Sequence, residues 1–350
     1  MIRVASMPEA TPDDIYYRLF YGALRRHGII LVPDARYDPR WFEENRGRID
    51  WVHFHWVQSY YMSWNLPRTF WATARFLRFL VRLRRLGYRI AWTCHNLFPH
   101  ESRSRVADYV VRMAMARMSD IVVVHSRRMT AEMGRWFLRK KNVYAVPLGH
   151  FIGCYPNGTS RETARRRLGL PERSFVYLFF GIVRPYKGVE ELIDAFRAVP
   201  NEDSVLIVAG KPMSREYKEA LTKRAEGDGR VRLALGHIAD EDLQLYFNAA
   251  DLTVLPFRKI STSASLLLAL SFGSAVVIPD APSILEYVNP RVAYVIKRDE
   301  GLAAALGEAR KCLERGELRS GPAVIDWARR FDWNEAAAVI GPALGGKAEA

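Results

Sequence analysis

Two short stretches hold half of the eight histidines: His53-Phe54-His55-Trp56 and Thr93-Cys94-His95-Asn96-Leu97-Phe98-Pro99-His100-Glu101. Each lies where an apolar, strand-like run ends. Imidazole and carboxylate groups at such a place suit a general base or a hydrogen bond to a substrate hydroxyl. The candidates for that base are Glu101, His95, His55 and His100. Glu101 is favoured because it lies farthest along its loop, and burial would raise its pKa into a useful range. Its alternative role is to favour the start of the helix expected over 103–118. His53, inside an apolar run, reads as a packed, hydrogen-bonded histidine. No H-x-x-x-H spacing occurs, and Cys94, Cys154 and Cys312 are far apart, so no metal site or disulfide frame is expected and the thiols read as reduced.

A different chemistry is written in Phe180-Gly181-Ile182-Val183-Arg184-Pro185-Tyr186-Lys187-Gly188. Gly181 permits a tight turn at a strand end. Arg184 and Lys187 then bring two cations beside the start of a following helix. Free backbone N–H groups and two cations suit a diphosphate; the alternative is a surface turn with solvated cations. A second stretch, Leu255 to Ser265, runs into the apolar helix expected over 266–272. Its Thr262, Ser263, Ala264 and Ser265 can cap that helix or let a phosphate approach its backbone.

The elements that must position these groups alternate. Strands are expected at 2–6, 29–33, 51–55, 89–94, 121–125 and 143–147, with helices such as 68–86 and 103–118 between them. After a Gly- and Pro-containing stretch at 148–174, with a short basic helix at 159–168, the alternation restarts. Strands are then expected at 175–180, 204–209, 231–235, 252–256 and 275–279, and helices at 190–198, 215–225, 240–249, 265–272 and 301–315. A last helical pattern covers 322–340. Strands alternating with helices imply parallel sheets covered on both faces, with ligands beyond the carboxyl ends of the strands.

The 350 residues and 49% hydrophobic composition allow two cores. The domains are expected at 1–150 and 151–330, with 331–350 a C-terminal helix packing back on the first. No uncharged apolar run reaches 18 residues and the N-terminus lacks a signal-peptide pattern, so a cytoplasmic chain without a spanning helix is expected. The net charge of +14 is one-sided: residues 1–150 carry 25 Lys and Arg against 12 Asp and Glu, residues 151–350 carry 27 against 26. A basic half suits membrane phospholipid, lipid diphosphate or nucleic acid. Within it, residues 70–88 hold Arg75, Arg78, Arg82, Arg84 and Arg85, no acid, and interleaved Phe, Trp, Leu and Val. As a helix this suits a membrane surface, or a domain helix whose Arg stems snorkel outward.

Taken together these segments resemble the GT-B superfamily, within it the clan of glycosyltransferase family 4. Gly181, Arg184, Lys187 and Gly188 look like the clan's phosphate-binding motif, and Ala250–Pro256 like the strand before its donor loop. The combination of His53–Trp56, Thr93–Glu101, Arg184–Glu190 and Ser263–Leu270 is similar to bacterial exopolysaccharide β-mannosyltransferases. These move mannose from GDP-mannose to polyprenyl-diphosphate-linked oligosaccharides in xanthan-type assembly. The clan's two glutamates, eight positions apart around the donor loop, fall here at Ile260 and Leu268.

The resemblance implies two Rossmann-like doubly wound domains facing a central cleft. It also implies an inverting hexosyltransferase with no cofactor beyond its nucleotide-sugar donor and no metal. The second domain would hold the donor through Gly181, Arg184, Lys187, Thr262, Ser263, Ala264 and Ser265, with Gly210, His237 and Ile238 in the turns that meet the base. The first domain would hold a lipid-linked glycan, with Arg75, Arg78, Arg82 and Arg85 on the inner membrane face. The rivals are a retaining family 4-like transferase using a UDP-sugar and a basic nucleic-acid-binding protein. No nucleic-acid module is recognisable, so no nucleic-acid partner is expected.

Overall fold

The structure is a computed structural model that describes residues 1–346 apart from Pro12, Asn201 and Glu202; residues 347–350, the end of the expected C-terminal segment, lie outside it. The first stretch runs β1 (Ile2–Met7), α1 (Ile15–Arg25), β2 (Ile29–Leu31), α2 (Pro39–Glu44), β3 (Trp51–Phe54), α3 (Leu66–Arg85), β4 (Arg89–Cys94), α4 (Arg105–Met118), β5 (Ile121–Val124), α5 (Arg127–Phe137) and β6 (Val143–Ala145). The next runs α6 (Arg161–Arg167), β7 (Phe175–Phe180), α7 (Val189–Arg197), β8 (Ser204–Ala209), α8 (Arg215–Ala225), β9 (Val231–Ala234), α9 (Leu243–Ala249), β10 (Leu252–Val254), α10 (Ala264–Ser271), β11 (Ala275–Pro279), α11 (Pro282–Leu285), β12 (Ala293–Ile296), α12 (Leu302–Glu314) and α13 (Pro322–Ala328). The chain then enters α14 (Trp333–Leu344).

Two compact units result, one of residues 1–149 with 331–350, the other of 150–330. In the first, α14 packs on α1, and Trp51 Nε1 donates to the Leu344 carbonyl at 2.9 Å. Its sheet has the order β2-β1-β3-β4-β5-β6, and the second unit's sheet the order β12-β11-β10-β7-β8-β9. Every pairing is parallel, with registers such as Phe54 opposite Trp92 and Phe180 opposite Ala209. The inner strands β3, β5 and β8 are buried along their whole length. Burial on both faces is why they read as continuous apolar runs rather than alternating ones.

Each sheet reverses its direction of growth once, between β1 and β3 in the first and between β7 and β10 in the second. At such a switch point the flanking loops part and leave a crevice beyond the strand ends. His53 lies in the switch strand β3 with His55 and Trp56 just after it, Gly181 follows β7, and the 255–265 segment follows β10.

The expected helix over 322–340 is two helices. Asp332 caps the second by accepting from Asn334 N at 2.7 Å, and this fixes a break at residues 329–332. The short α11 and β12 were not expected. Helix α3 matches the expected Arg-rich segment, but its apolar residues divide: Phe76, Phe79, Leu80 and Leu83 are buried, whereas Phe70, Trp71 and Val81 are exposed.

Candidate active site

In the second unit three glycine turns meet at the carboxyl end of the sheet. Gly181 ends β7 with φ 134° and Gly210 ends β8 with φ 141°, conformations an L side chain rarely adopts. A Cβ on Gly210 would lie 1.9 Å from the Gly181 carbonyl oxygen, so the two turns touch backbone to backbone. Gly236 N donates to the Gly210 carbonyl at 3.1 Å, which brings the turn of His237 and Ile238 alongside. His237 is exposed and Ile238 half-buried.

The space over Gly181 is where the polar groups converge. A Cβ there would stand 2.5 Å from Ser265 Oγ and 3.2 Å from Lys187 Nζ. Lys187 closes a single 3-10 turn, Pro185–Lys187, which precedes α7 rather than forming its first turn. Gly188, at φ 72°, lets the chain enter α7, and a side chain there would meet the Pro256 carbonyl at 2.2 Å. The turn is therefore clamped against the end of β10. Arg258 N donates to the Tyr186 carbonyl at 2.9 Å, and the Arg258 guanidinium pairs with Glu190 and Glu191. Burial, and then the neighbouring Arg184, lower the Lys187 ammonium to about 8.

Ser263 caps α10, its Oγ accepting from Leu266 N at 3.0 Å. The Ser265 hydroxyl, in the first turn of the same helix, faces Gly181. Thr262 and Arg184 are half-buried and Ala264 is exposed in the same region. Ile260 and Leu268 are both half-buried, and they place no carboxylate there. The arrangement can hold a diphosphate: the Lys187 ammonium with Arg184 near it, and the Ser265 hydroxyl at the start of α10, over one glycine turn.

In the first unit the histidines are linked into one buried chain. Thr93 Oγ1 lies 2.8 Å from His53 Nε2, and Tyr21 Oη lies 2.9 Å from His53 Nδ1 and 3.0 Å from His55 Nε2. His55 Nδ1 lies 3.3 Å from His95 Nε2, and His95 Nδ1 3.2 Å from His125 Nε2. His125 Nδ1 ends the chain 3.2 Å from the Val146 carbonyl. A carbonyl only accepts, so His125 Nδ1 carries the proton. For neutral rings every other donor follows: His95 Nδ1–H to His125, His55 Nδ1–H to His95, Tyr21 O–H to His55, His53 Nδ1–H to Tyr21 and Thr93 O–H to His53. Burial keeps the rings neutral, lowering His53 to about 3 and His125 to about 4. Burial and the neighbouring imidazoles hold His55 and His95 well below the usual range.

The chain engages both ring nitrogens of His55 and of His95. Trp56 stacks on His95 with centroids 4.4 Å apart and planes 6° apart. His100 and Glu101 are half-buried in the loop beyond β4. Helix α4 is capped by Ser104, whose Oγ accepts from Ala107 N at 3.3 Å, so Glu101 lies outside the cap. Tyr21, Thr93 and His125 were not anticipated as partners. A signal was present for His125, which ends a strand-like run, but not for Tyr21, which lies far away in the sequence. Among the described residues no group of three His, Cys, Asp or Glu side chains could hold a metal ion.

The surface of the first unit is aromatic as well as basic. Trp64, Leu66, Phe70 and Trp71 at the start of α3, Val106 and Val110 on α4 and Trp136 on α5 are exposed. Arg103 lies 4.0 Å over the Trp64 ring and Arg75 5.0 Å over Trp71. Of the expected surface arginines, Arg75, Arg78 and Arg85 are exposed, and Arg82 pairs with Glu43 at 2.7 Å. Among the described residues no helix is long and apolar enough to cross a membrane.

Two six-stranded parallel sheets, each wound from its own switch point, define a GT-B fold. Its second unit carries the cationic crevice. The chain is a glycosyltransferase whose residues 160–320 match the family of group 1 glycosyl transferases. The GDP-mannose:glycolipid 4-beta-D-mannosyltransferase of Xanthomonas campestris pv. campestris is 29% identical over 265 residues, 74% of this chain and 71% of that protein. A D-inositol 3-phosphate glycosyltransferase of Geodermatophilus obscurus is 26% identical over 327 residues, 87% of this chain and 67% of the relative. Among solved structures, Anabaena HepE in complex with UDP and glucose aligns with a TM-score of 0.74 at 15% identity, over 99% of this chain and all of that one. Sucrose-phosphate synthase from Thermosynechococcus elongatus aligns with a TM-score of 0.74 at 17% identity, over 99% of each chain.

Proposed function

We propose that the chain is an inverting hexosyltransferase that moves mannose from GDP-mannose to a lipid-linked oligosaccharide in bacterial exopolysaccharide assembly. The observation that carries this reading is the convergence of Lys187 Nζ and Ser265 Oγ over Gly181 at the β7–β10 switch point. The diphosphate would sit there, with Arg184 and the α10 start beside it. The turns of Gly210, His237 and Ile238 would meet the nucleobase. The similarity to the Xanthomonas mannosyltransferase supports mannose and GDP, and the apolar Ile260 and Leu268 support inversion.

Inversion takes one displacement. The acceptor hydroxyl loses its proton to a base as its oxygen attacks the anomeric carbon, and the bond to the diphosphate breaks on the opposite face. The Lys187 and Arg184 charges and the helix-start N–H groups stabilise the leaving diphosphate, so the scheme assigns no step to a metal ion. Glu101 is the favoured base, because the hydrogen-bonded chain already engages both nitrogens of His55 and of His95. His100, in the same loop, is the next candidate.

The lipid end of the acceptor would meet an anionic membrane through the exposed face of α3 and α4. That makes the enzyme a peripheral protein of the inner membrane face. Thermal-shift titration with GDP-mannose, UDP-sugars and dTDP-sugars tests the donor, and the anomer of the product tests the mechanism. GDP-mannose should stabilise most and the product should be the β-anomer. Stabilisation by UDP-sugars alone with an α-product would replace this reading by the retaining UDP-sugar one.

A further inference from the structure

The loop between β4 and α4 carries His100 and Glu101, and it is fixed on both sides of them. Its start is held where Cys94 Sγ donates to the Asn96 carbonyl at 3.3 Å. Phe98 then packs edge-on to Trp136, with centroids 5.6 Å apart and planes at 85°, and its ring lies 5.7 Å from that of Phe137. Beyond Glu101 the Ser102 hydroxyl donates to the Asp108 carboxylate of α4. Only Pro99, His100 and Glu101 lie between the Phe98 and Ser102 anchors. Proline fixes one backbone angle of that span.

The Ser102 anchor is more than a helix cap. Ser104 already caps α4, its Oγ accepting from Ala107 N at 3.3 Å. Asp108 belongs instead to a buried network. Tyr61 Oη donates to Asp108 Oδ1 at 2.5 Å and accepts from Arg112 Nη1 at 2.6 Å. Tyr61, Asp108 and Arg112 are each no more than 2% exposed. Burying a carboxylate and a guanidinium is unfavourable, and Arg112 Nε has no hydrogen-bond partner among the described residues. Apolar residues of the same volume often serve stability as well or better. What such a network supplies is a fixed geometry. It also joins two segments. Tyr61 follows the turn Val57–Tyr60, just after His55 and Trp56, whereas Asp108 and Arg112 lie one turn apart on α4. The loops after β3 and after β4 are thereby tied to one another.

We propose that Ser102, Asp108, Tyr61 and Arg112 are positioning residues of the transfer reaction. They hold the span of Pro99, His100 and Glu101 in one orientation relative to the strand end that presents His55 and Trp56. A base must stand within hydrogen-bond reach of the hydroxyl it deprotonates, and a misplacement of about 1 Å can cost about 100-fold in rate. None of the four needs to touch a substrate. The inference rests on the reading of Glu101, with His100 next, as the base.

The deciding variant is Ser102→Ala, because Ser102 is exposed and its replacement removes one anchor without opening the core. Transfer is measured with the full chain, a prenyl-diphosphate-linked oligosaccharide and whichever nucleotide sugar the thermal-shift titration selects. Failure of GDP-mannose as the donor is therefore a separate result. Ser102→Ala should lower kcat about tenfold or more while the KM for the donor changes less than about twofold. Ser102→Thr keeps the hydroxyl and should restore most of the rate. Circular dichroism checks that each variant is folded. A purely structural anchor would lower the melting temperature and leave kcat in place. Adding Ser102→Ala to Glu101→Gln should lower kcat no further, since an anchor acts only through the group it places. If Glu101→Gln alone turns over normally, the assignment of the base to Glu101 fails, and the same non-additivity must then appear with His100→Gln. Near-normal kcat in Ser102→Ala, no restoration by Ser102→Thr, or a loss that multiplies with both Glu101→Gln and His100→Gln would each overturn the proposal.

Discussion

In the proposed diphosphate site Lys187 would carry both the affinity and its pH dependence. Its ammonium is held at about 8 by burial and by Arg184, so it is charged at neutral pH and discharges within reach of ordinary buffers. A bound diphosphate favours the charged form. Donor affinity should therefore be full below pH 8 and decline as the pH rises through about 8. Binding of GDP measured from pH 6.5 to 9.5 should show that decline in the wild type and not in Lys187→Ala. The variant should also bind about 1.5–3 kcal/mol more weakly at neutral pH, the scale of a charge-assisted hydrogen bond. Wild-type affinity in Lys187→Ala would move the diphosphate elsewhere. Glu101 poses a different question, because its two roles predict different losses. As the base, Glu101→Gln should lower kcat by roughly 100-fold or more. As a helix-start charge it should cost around 0.3–1 kcal/mol of stability with kcat little changed. Its place outside the Ser104 cap favours the first outcome. Near-normal turnover with reduced stability would transfer the role to another group in the loop, His100 first.

The strands and their carboxyl ends are legible in the sequence, because inner parallel strands are continuous apolar runs and the turns after them are marked by Gly, Ser, His or Pro. For that reason Gly181 and Gly210 read from the sequence as strand-end turns, and Ser263–Ser265 as a helix start. The histidine chain was not legible as a chain. Its members come from α1, β3, β4, β5 and the loops that follow, and only the β3-β4-β5 adjacency of the sheet brings them into line. His53 read correctly as a satisfied buried histidine, but nothing local marks Tyr21 as its partner. The chain has a measurable signature. Neutral buried histidines with pKa values lowered to about 3 and about 4 contribute stability that is present above the unfolded value near 6.5 and lost as pH falls through the folded values. The unfolded chain binds protons there that the native chain does not. Melting temperature should therefore fall steadily between pH 6.5 and about 4. Tyr21→Phe removes the donor to His55 and the acceptor from His53, both buried, and should cost about 1–3 kcal/mol in denaturant unfolding at pH 7. A flat melting temperature across that pH range, or an unaltered Tyr21→Phe, would show that the chain is not a stabilising unit.

At the scale of the whole molecule the charge is divided unevenly along the chain. The basic excess lies in residues 1–150, while residues 151–350 are nearly balanced, and their cationic crevice is built from a few placed groups rather than from a field. The basic half also bears exposed aromatic residues at the start of α3, among them Trp64 at 82% and Trp71 at 61% exposure. Exposing these rings to water is unfavourable, and arginines lie over two of them. Tryptophan and arginine together suit the headgroup region of a bilayer, where the ring meets the acyl boundary and the guanidinium meets phosphate. The two contributions separate by salt. The electrostatic part, about 1 kcal/mol per basic residue near an anionic surface, is screened as the Debye length shortens, whereas aromatic insertion is not. Co-sedimentation should show binding to vesicles containing anionic lipid, weaker binding to neutral vesicles, and a loss of most of the difference between 0.05 and 0.5 M salt, on the order of a threefold change in screening length. Phe70→Ser/Trp71→Ser should reduce the binding that survives at high salt, while Arg75→Gln/Arg78→Gln should reduce only the part that salt removes. Equal binding to neutral and anionic vesicles would reject the electrostatic contribution. Unchanged high-salt binding in the Phe70/Trp71 variant would reject the aromatic one, leaving the exposed rings of α3 as a contact for another part of the acceptor.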